Sequence, residues 1–343
     1  MPNTTRFEVI LSTILKGPTL TYSSGLSAFH AALVFLNPKR IAIRDGYHGC
    51  HGVIDIHTKL TGLKKLDLYC NPEELEAGDV VHVETPLNPT GYAYNLQEFA
   101  DKAHSRGAFL LVDATFAPPP LQDPFIWGAD IVMHSGTKYV GGHSDMLCGI
   151  LAVHPQRAKE GWFEKLTSER LFLGNVMGNM EGWLGIRSVR TLEIRVERQA
   201  FNAGKLVAWL HAALHPENKS EFVVPETTQK LVQQVVGKIE HASLQEEDIR
   251  DGWLLRQMPN GFGPVFSITM TEQIFARKLP STLELFHHAT SLGGVESLIE
   301  WRSMTDSKVD TKLLRISIGI EGWEDLKDDL LRGFEKLVNG GTE

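Results

Sequence analysis

Short apolar runs that suit β-strands alternate with segments of helical periodicity through the first half of the chain. The strand-like runs lie at residues 41–44, 80–84, 109–113, 130–134 and 149–153. Between them, apolar residues at helical spacing lie at 27–36, 47–60, 96–106 and 156–166. Because parallel strands need long crossovers, this alternation predicts an α/β fold with a mostly parallel sheet. Ligands of such sheets bind at the carboxyl ends of the strands.

The second half of the chain is organised differently. A helical pattern over residues 181–213, interrupted by Gly185 and Gly204, predicts one long connector helix. Strand-like runs at 264–270 and 313–320 and an amphipathic helix at 323–338 follow it. We therefore predict a large domain at residues 1–212, which includes the connector helix, and a smaller C-terminal α+β domain at residues 213–343.

Charge and composition exclude several classes of partner. The chain has 34 Lys and Arg residues against 42 Asp and Glu residues, a formal net charge of −8, so nucleic acid is not an expected partner. No apolar run approaches the ~20 residues of a membrane-spanning helix, so no membrane association is expected. The three cysteines are widely spaced and the N-terminal residues lack an export or transit pattern, which predicts a cytoplasmic location.

A lysine follows the strand-like run at 130–134 and is the first candidate for chemistry. A single lysine is usually a solvated surface charge, but Lys138 lies where ligands bind. Ser135 and Thr137 can donate hydrogen bonds to phosphate oxygens, and the glycines after them permit close backbone approach. A lysine in a dry cleft can lose its proton and attack a carbonyl, so we predict a nucleophile beside an anion site.

Polar residues at other strand and helix ends point to the same crevice. Asp113 ends the run at 109–113; it either caps a turn or keeps a pyridine nitrogen protonated, so that the ring can accept electrons. Gly25 and Leu26 lie in the turn that precedes the first clear helix, and the free N–H groups at that helix start form either a plain cap or an anion site. Asn88 lies in a proline-rich loop that is either a simple turn or presents its amide.

A cluster of side chains that can bind metals is a competing candidate site. His48, Cys50 and His51 lie close together, with His57 six residues after His51. Zinc sites need four well-spaced ligands, and no second pair stands out elsewhere in the sequence. We therefore predict no metal site.

In this order, these segments resemble the Cys/Met-metabolism family of pyridoxal-phosphate (PLP) enzymes, the transsulfuration group. Residues 135–145 match the family motif Ser-x-Thr-Lys-Tyr-x-x-Gly-His-Ser-Asp, and residues 291–298 match Ser-Leu-Gly-Gly-x-Glu-Ser-Leu. The resemblance covers nearly the whole chain. It implies the aspartate-aminotransferase-like fold (fold type I), pyridoxal 5'-phosphate as cofactor, a small amino-acid substrate, and assembly as a homodimer or homotetramer.

The resemblance also implies a role for each matching residue. Lys138 would hold the cofactor through a Schiff base and shuttle protons, Asp113 would pair with the pyridine nitrogen, and Tyr47 would stack on the ring. The residues implied to hold the phosphate are Gly25, Leu26, Ser135 and Thr137. Those implied to position the amino acid are Asn88, Ser291 and Arg315, with the guanidinium on the α-carboxylate.

Three departures from the family pattern leave the substrate open. Thr290 stands where γ-specific members carry glutamate, and Leu292 stands where β-lyases carry tryptophan. The segment between Ile299 and Arg315 is shorter than usual, with Trp301-Arg302-Ser303-Met304-Thr305-Asp306 in place of a longer loop. This combination resembles the fungal-type branch of the transsulfuration enzymes, and the choice between β- and γ-chemistry stays open.

The expected function is a carbon–sulfur lyase acting on cystathionine or a related sulfur amino acid. One alternative is γ-replacement, by a cystathionine γ-synthase or an O-acyl-homoserine sulfhydrylase. A second is a non-catalytic partner subunit, because the family has a Tyr-x-Arg segment upstream of its Asn-Pro-Thr that binds the neighbouring subunit's phosphate, and this sequence, which begins almost at Pro2-Asn3-Thr4, lacks those two residues. Retention of Lys138, Asp113, Tyr47 and Arg315 favours an enzyme.

Overall fold

Two β-sheets organise the chain in the computed structural model, which describes residues 2–306 and 308–340. The strands of the first sheet are β1 (Thr19–Tyr22), β2 (Arg40–Ala42), β3 (Lys64–Leu66), β4 (Val80–Glu84), β5 (Phe109–Asp113), β6 (Ile131–Ser135) and β7 (Gly149–Val153). The strands of the second sheet are β8 (Val236–Glu240), β9 (Val265–Met270), β10 (His287–His288), β11 (Leu298–Trp301) and β12 (Leu313–Ser317).

Helices connect and cover these strands. In the first half they are α1 (Pro2–Ile14), α2 (Gly25–Leu36), α3 (His48–Thr61), α4 (Leu96–His104), α5 (Pro155–Lys159) and α6 (Trp162–Phe172). In the second half they are α7 (Asn179–Ser188), α8 (Leu192–Leu214), α9 (Glu226–Val235), α10 (Glu246–Arg250), α11 (Trp253–Gln257), α12 (Gln273–Lys278) and α13 (Trp323–Asn339). Within the described residues, no helix is both long and apolar enough to cross a membrane.

The first sheet has the strand order β1-β7-β6-β5-β4-β2-β3. Strand β7 pairs antiparallel with β1 and β6, and the other described pairs are parallel. The predicted α/β fold with a mostly parallel sheet is therefore confirmed. Three predicted strands, β4, β5 and β7, match to the residue.

Helices bury both faces of the first sheet. On one face α2, α3 and α6 pack around a core that includes Tyr22 and Phe29. On the other face α1 and α4 contribute Phe7 and Phe99 to a second apolar cluster. All five residues of β4 are buried, as expected for a strand covered on both sides.

Two predicted helices are each divided in the structure. The expected connector over 181–213 consists of α7 and α8, separated by a 3₁₀ turn at Val189–Thr191. The Ser188 carbonyl at this break accepts a hydrogen bond from Arg195 Nη2, which compensates for an interrupted helical bond. The expected helix over 156–166 consists of α5 and α6, because Gly161 between them has a left-handed φ of 83°.

The second sheet has the order β10-β11-β12-β9-β8 and is antiparallel except for the β10–β11 pair. Its core takes apolar residues from α9, α13 and the second half of α8, including Leu206 and Leu210. Helix α8 therefore contributes to the second core already before residue 213. The domain boundary between residues 212 and 213 stays a prediction. The runs predicted near β9, β12 and α13 correspond to these elements within a few residues.

Candidate active site

One cavity of about 670 Å³ lies where the carboxyl ends of β4, β5 and β6 face β11 and β12 of the second sheet. Every residue that the sequence analysis proposed for the site lines this cavity: Gly25, Leu26, Tyr47, Asn88, Asp113, Ser135, Thr137, Lys138, Ser291 and Arg315. Residues up to 290 positions apart in the chain thus meet in a space large enough for a small cofactor and an amino acid.

Lys138 stands at the end of a tight turn after β6. Its backbone N–H donates to the Ser135 carbonyl at 3.0 Å, and its Nζ donates to Ser291 Oγ at 3.2 Å. Burial, and secondly the positive charge of Arg315, lower the pKa of Lys138 below its ordinary value. A larger share of the amine is therefore neutral, the form in which it can act as nucleophile or base.

Asp113 ends β5 inside the cavity. Its Oδ1 accepts hydrogen bonds from the Thr115 backbone N–H at 2.9 Å and from Thr115 Oγ1 at 2.5 Å. Its Oδ2 has no hydrogen-bond partner among the described residues, although the residue is only 5% exposed. Burial raises the pKa of Asp113. One oxygen of this carboxyl group is thus available to a donor from a ligand.

Glu84 is a second buried carboxyl group, next to Asp113, that the sequence analysis missed. The two residues are register partners in the parallel pair of β4 and β5. The Glu84 oxygens accept backbone N–H bonds from Tyr47 at 2.8 Å and Asn88 at 2.7 Å. Burial, and then the negative charge of Asp113, raise the pKa of Glu84. The strand-end rule that found Asp113 applies equally to Glu84.

The N-terminus of α2 meets the end of β6 across the cavity. Ser24 caps the helix, its Oγ accepting the Ser27 N–H at 3.1 Å, and Gly25 packs closely on Ser135. The Ser135 hydroxyl has no partner in the part of the chain that the structure describes. The Thr137 hydroxyl, by contrast, bonds the Cys148 backbone, donating to O at 3.3 Å and accepting from N at 3.0 Å. Of the two hydroxyls, that of Ser135 is the freer donor.

Tyr47 immediately precedes α3 and is partly exposed at the cavity. Its ring lies beside the His48 ring, with 4.8 Å between the centroids. Gly49 leaves room for it, because a Cβ at that position would lie 2.6 Å from Tyr47 Cε1. Burial raises the pKa of Tyr47, so the phenol stays neutral near pH 7.

Arg315 projects from β12 into the cavity, while its neighbours Leu314 and Ile316 belong to the second core. This is the alternation predicted for the strand. Arg315 Nη2 donates to Glu300 Oε2 at 2.6 Å and to the Thr290 carbonyl at 2.6 Å, and Nη1 donates to Asn88 Oδ1 at 3.3 Å. Burial lowers the pKa of Arg315 to about 10, which leaves it charged at neutral pH.

Three further cavity residues, Glu300, Arg302 and Thr305, were not assigned from the sequence. Glu300 is the cross-strand partner of Arg315 in the β11–β12 ladder. The pairing register that brings these residues together is a tertiary property, so no local pattern in the sequence indicates it. The unusual segment from Trp301 to Asp306 was the one signal available.

The histidines considered for a metal do not converge. His57 Nε2 lies 3.0 Å from His30 Nδ1, whereas the side chain of His51 lies 2.7 Å from Lys65 Nζ. Among residues 2–306 and 308–340, no group of three or more His, Cys, Asp or Glu side chains could hold a metal ion.

Comparisons with known proteins agree with this geometry. A family model described as Cys/Met metabolism PLP-dependent enzyme matches residues 1–335. Cystathionine beta-lyase of Lactococcus lactis subsp. cremoris is 32% identical over 339 residues, which span 92% of this chain and 81% of the relative. Cystathionine gamma-lyase of Bacillus subtilis is 29% identical over 360 residues, spanning 98% and 87%. The crystal structure of metB from Corynebacterium glutamicum superposes with a TM-score of 0.83 at 27% identity, covering 98% of this chain and 86% of that chain.

The fold and the cavity therefore define an α/β enzyme of the pyridoxal-phosphate-dependent class. Because the family model matches nearly the whole sequence, the chain belongs to the Cys/Met metabolism PLP-dependent enzymes. The predictions of family, fold type and cofactor are confirmed.

Proposed function

We propose that the protein is a carbon–sulfur lyase that acts on cystathionine or a related sulfur amino acid. The observation that carries the proposal is the half-buried Lys138 Nζ, whose pKa is lowered, in the cavity that also contains Arg315. A base and a carboxylate-binding guanidinium are the two groups that an amino acid must meet for its α-proton to be removed. Relatives named as cystathionine lyases support the choice of substrate.

The residues present fit the cofactor at its ring, its nitrogen and its phosphate. Asp113 Oδ2 lacks a partner in the described chain and suits a protonated pyridine nitrogen. The start of α2, with the free Ser135 hydroxyl, suits the phosphate, and Tyr47 suits the ring face. We assign Gly25, Leu26, Ser135 and Thr137 to the phosphate, and Lys138 Nζ to the covalent attachment. When bound, the cofactor supplies a ring that withdraws electrons from the substrate α-carbon.

The chain's own residues then orient the substrate and move protons. Arg315 binds the α-carboxylate, and the Asn88 amide, already hydrogen-bonded to Arg315 Nη1, helps to fix the guanidinium plane. Lys138 Nζ, in its neutral form, takes the α-proton, and Ser291 Oγ at 3.2 Å holds the amine in place. The electron pair that remains after this proton transfer would expel a sulfur substituent on the β-carbon as a thiolate, whereas a substituent on the γ-carbon would leave only after a β-proton is removed as well.

Product analysis tests this assignment. The purified protein with pyridoxal phosphate and L-cystathionine, but without an added thiol, should release ammonia and a 2-oxo acid. A three-carbon acid would indicate β-cleavage and a four-carbon acid γ-cleavage. Product formed only when a thiol and an O-acyl-homoserine are supplied would instead identify γ-replacement. No turnover under either condition would favour the non-catalytic subunit.

We also propose that the chain forms a homodimer or homotetramer in the cytoplasm. Large apolar side chains that are exposed in the single chain support an assembly; Phe172, on α6, is 87% exposed, and Ile194, on α8, is 65% exposed. Light scattering coupled to size-exclusion chromatography should give at least twice the 38.2 kDa mass of the chain. A mass of one chain at micromolar concentration would contradict the proposal.

A further inference from the structure

Glu300, Arg302 and Arg315 form a buried ion cluster in the cavity lining, and this cluster has more hydrogen-bond donors than acceptors. Glu300 accepts bonds from Arg315 Nη2 at 2.6 Å, from Thr305 Oγ1 at 2.6 Å, and from Arg302 Nη1 at 3.1 Å and 3.0 Å. Both carboxylate oxygens are therefore fully used. Two guanidinium groups share one carboxylate, so the cluster carries an excess positive charge.

The unused donors are concentrated on one edge of Arg302. Its Nε is buried, and neither Nε nor Nη2 has a hydrogen-bond partner among the described residues. Nε and Nη2 together form the side of a guanidinium that binds carboxylate or phosphate bidentately. The residue is only 6% exposed and lines the cavity. Burying such an edge without an acceptor is costly, so a ligand group is the natural partner for it.

Arg302 is close to Arg315 yet offers a separate binding edge. Nη1 of Arg302 and Nη2 of Arg315 both bond Glu300 Oε2, at 3.0 Å and 2.6 Å. An amino acid whose α-carboxylate rests on Arg315 would therefore bring its side chain near Arg302. The negative Glu300 carboxylate between the two guanidinium groups offsets the repulsion between their positive charges.

We propose that Arg302 forms a second anion subsite, which selects amino acids whose side chain ends in a carboxylate or a phosphate. This inference rests on the proposed function, because it uses the same cavity and the same α-carboxylate clamp. It adds the class of substrate that the cavity prefers. Arg302 is the specificity-determining residue, and Glu300 positions it.

Ligand pairs that differ only in terminal charge test the subsite by calorimetry on the PLP-loaded protein. The carboxylate arm compares L-2-aminoadipate and L-2-aminopimelate with their terminal amides, and the phosphate arm compares O-phospho-L-homoserine with L-homoserine. At least one charged ligand should bind about tenfold or more tightly than its neutral match, as expected for a bidentate charge-assisted contact. Arg302→Gln should abolish that preference, with less than a threefold change for the neutral ligand.

Two further variants separate direct binding from a structural role. Arg302→Lys keeps the positive charge but loses the two parallel N–H donors, so it should retain part of the preference for the charged ligand. Thr305→Val removes a donor to Glu300 without touching the open edge of Arg302, so it should retain the preference in full. Equal binding of all pairs by the unmodified protein, or equal weakening of both members of a pair by Arg302→Gln, would overturn the proposal.

Failure of the subsite can be told apart from failure of the proposed function. The visible absorption of the PLP-loaded protein, recorded before any amino acid is added, reports attachment to Lys138. An intact absorption band with no charge preference would overturn the Arg302 subsite alone. If the protein shows no absorption band, or shows one that persists without Lys138, the proposed function is contradicted.

Discussion

Arg315 is held from several sides before any substrate arrives. Glu300, the Asn88 amide and the carbonyls of Thr290 and Ser291 all accept bonds from its guanidinium. The group is therefore fixed in one orientation, which lowers the entropy cost of binding a carboxylate. This preorganisation is the physical basis for assigning it to the substrate α-carboxylate.

Replacement of Arg315 tests that role. Arg315→Gln should lower kcat/KM by about 10- to 100-fold, mainly through a higher KM, because a bond to a charged group contributes about 1.5–3 kcal/mol. Steady-state kinetics with L-cystathionine provides the measurement. Arg170→Gln is a matched control, since Arg170 is also buried and paired, with Glu8, but lies outside the cavity lining. An unchanged KM in Arg315→Gln would refute the assignment.

Two buried histidines inside the first sheet should make the fold sensitive to acid. Neither ring nitrogen of His82 or His134 has a hydrogen-bond partner among the described residues, and burial lowers the pKa values of the two rings to about 3 and about 4. Above pH ~6.5 both rings are neutral in the folded and the unfolded chain. Below that pH the unfolded chain takes up protons that the folded chain does not, so the free energy of unfolding falls as the pH falls.

A His82→Leu variant measures this effect directly. It removes one of the buried histidines with a lowered pKa, so its free energy of unfolding should fall less steeply than that of the unmodified protein between pH 6.5 and 5. Urea unfolding at several pH values gives the slope. Surface His288→Leu serves as the control, because that side chain is exposed and should leave the slope unchanged. Identical slopes for His82→Leu and the unmodified protein would disprove the explanation.

At the residue scale, proximity to strand ends explains which site residues were predictable. Lys138 and Asp113 each follow or end a strand that the apolar pattern located, so their convergence follows from the parallel sheet. Glu84 obeys the same rule and was overlooked. Glu300 and Arg302 depend on the register between β11 and β12, which no single segment of sequence encodes.

At the element scale, the position of the N-terminus of α2 depends on a glycine in the neighbouring strand. A Cβ on Gly149 of β7 would overlap the backbone carbonyl of Ser24, the cap of that helix, and would lie 2.8 Å from Ala28 Cβ. Backbone atoms cannot move aside as a flexible side chain can. The strand glycine thus allows the helix N-terminus assigned to the phosphate to approach the sheet.

Gly149→Ala should therefore displace the start of α2 and weaken cofactor binding. We expect the dissociation constant for pyridoxal phosphate to rise by about tenfold or more, the equivalent of roughly 1.4 kcal/mol. Absorption titration supplies the measurement. Gly237→Ala in β8 is the matched strand control, because the nearest atom to its added Cβ is 3.4 Å away. Equal cofactor affinity in the two variants would show that the contact does not shape the site.

Helices and strands with a clear pattern of apolar residues were predictable from the sequence, but the breaks within the helices were not. Strands β4, β5 and β7 are mainly apolar, and their predicted bounds matched to the residue. The break between α7 and α8 was missed because residues on both sides keep the helical spacing, while Arg195 satisfies the carbonyl at the break from the next turn. Short elements such as β3 and β10 have too few residues to produce a detectable pattern.

At the scale of the whole molecule, the cavity exists because two separate sheets face each other. The first sheet contributes the lysine and the buried carboxyl groups, and the second contributes both arginines. Helix α8 joins the two cores, with Val196 in a cluster beside the first sheet and Leu206 in the second. The division into two domains stays a prediction, and the way the two sheets face each other became evident only in the folded chain.

The central claim is that this assembled cavity attaches pyridoxal phosphate through Lys138, and absorption spectroscopy tests it most directly. The protein mixed with pyridoxal phosphate should develop a visible band, which borohydride reduction should fix to the peptide containing Lys138. Lys138→Ala should lack the band, whereas Lys59→Ala, at an exposed position on α3, should retain it. A band of equal strength in Lys138→Ala would contradict the account.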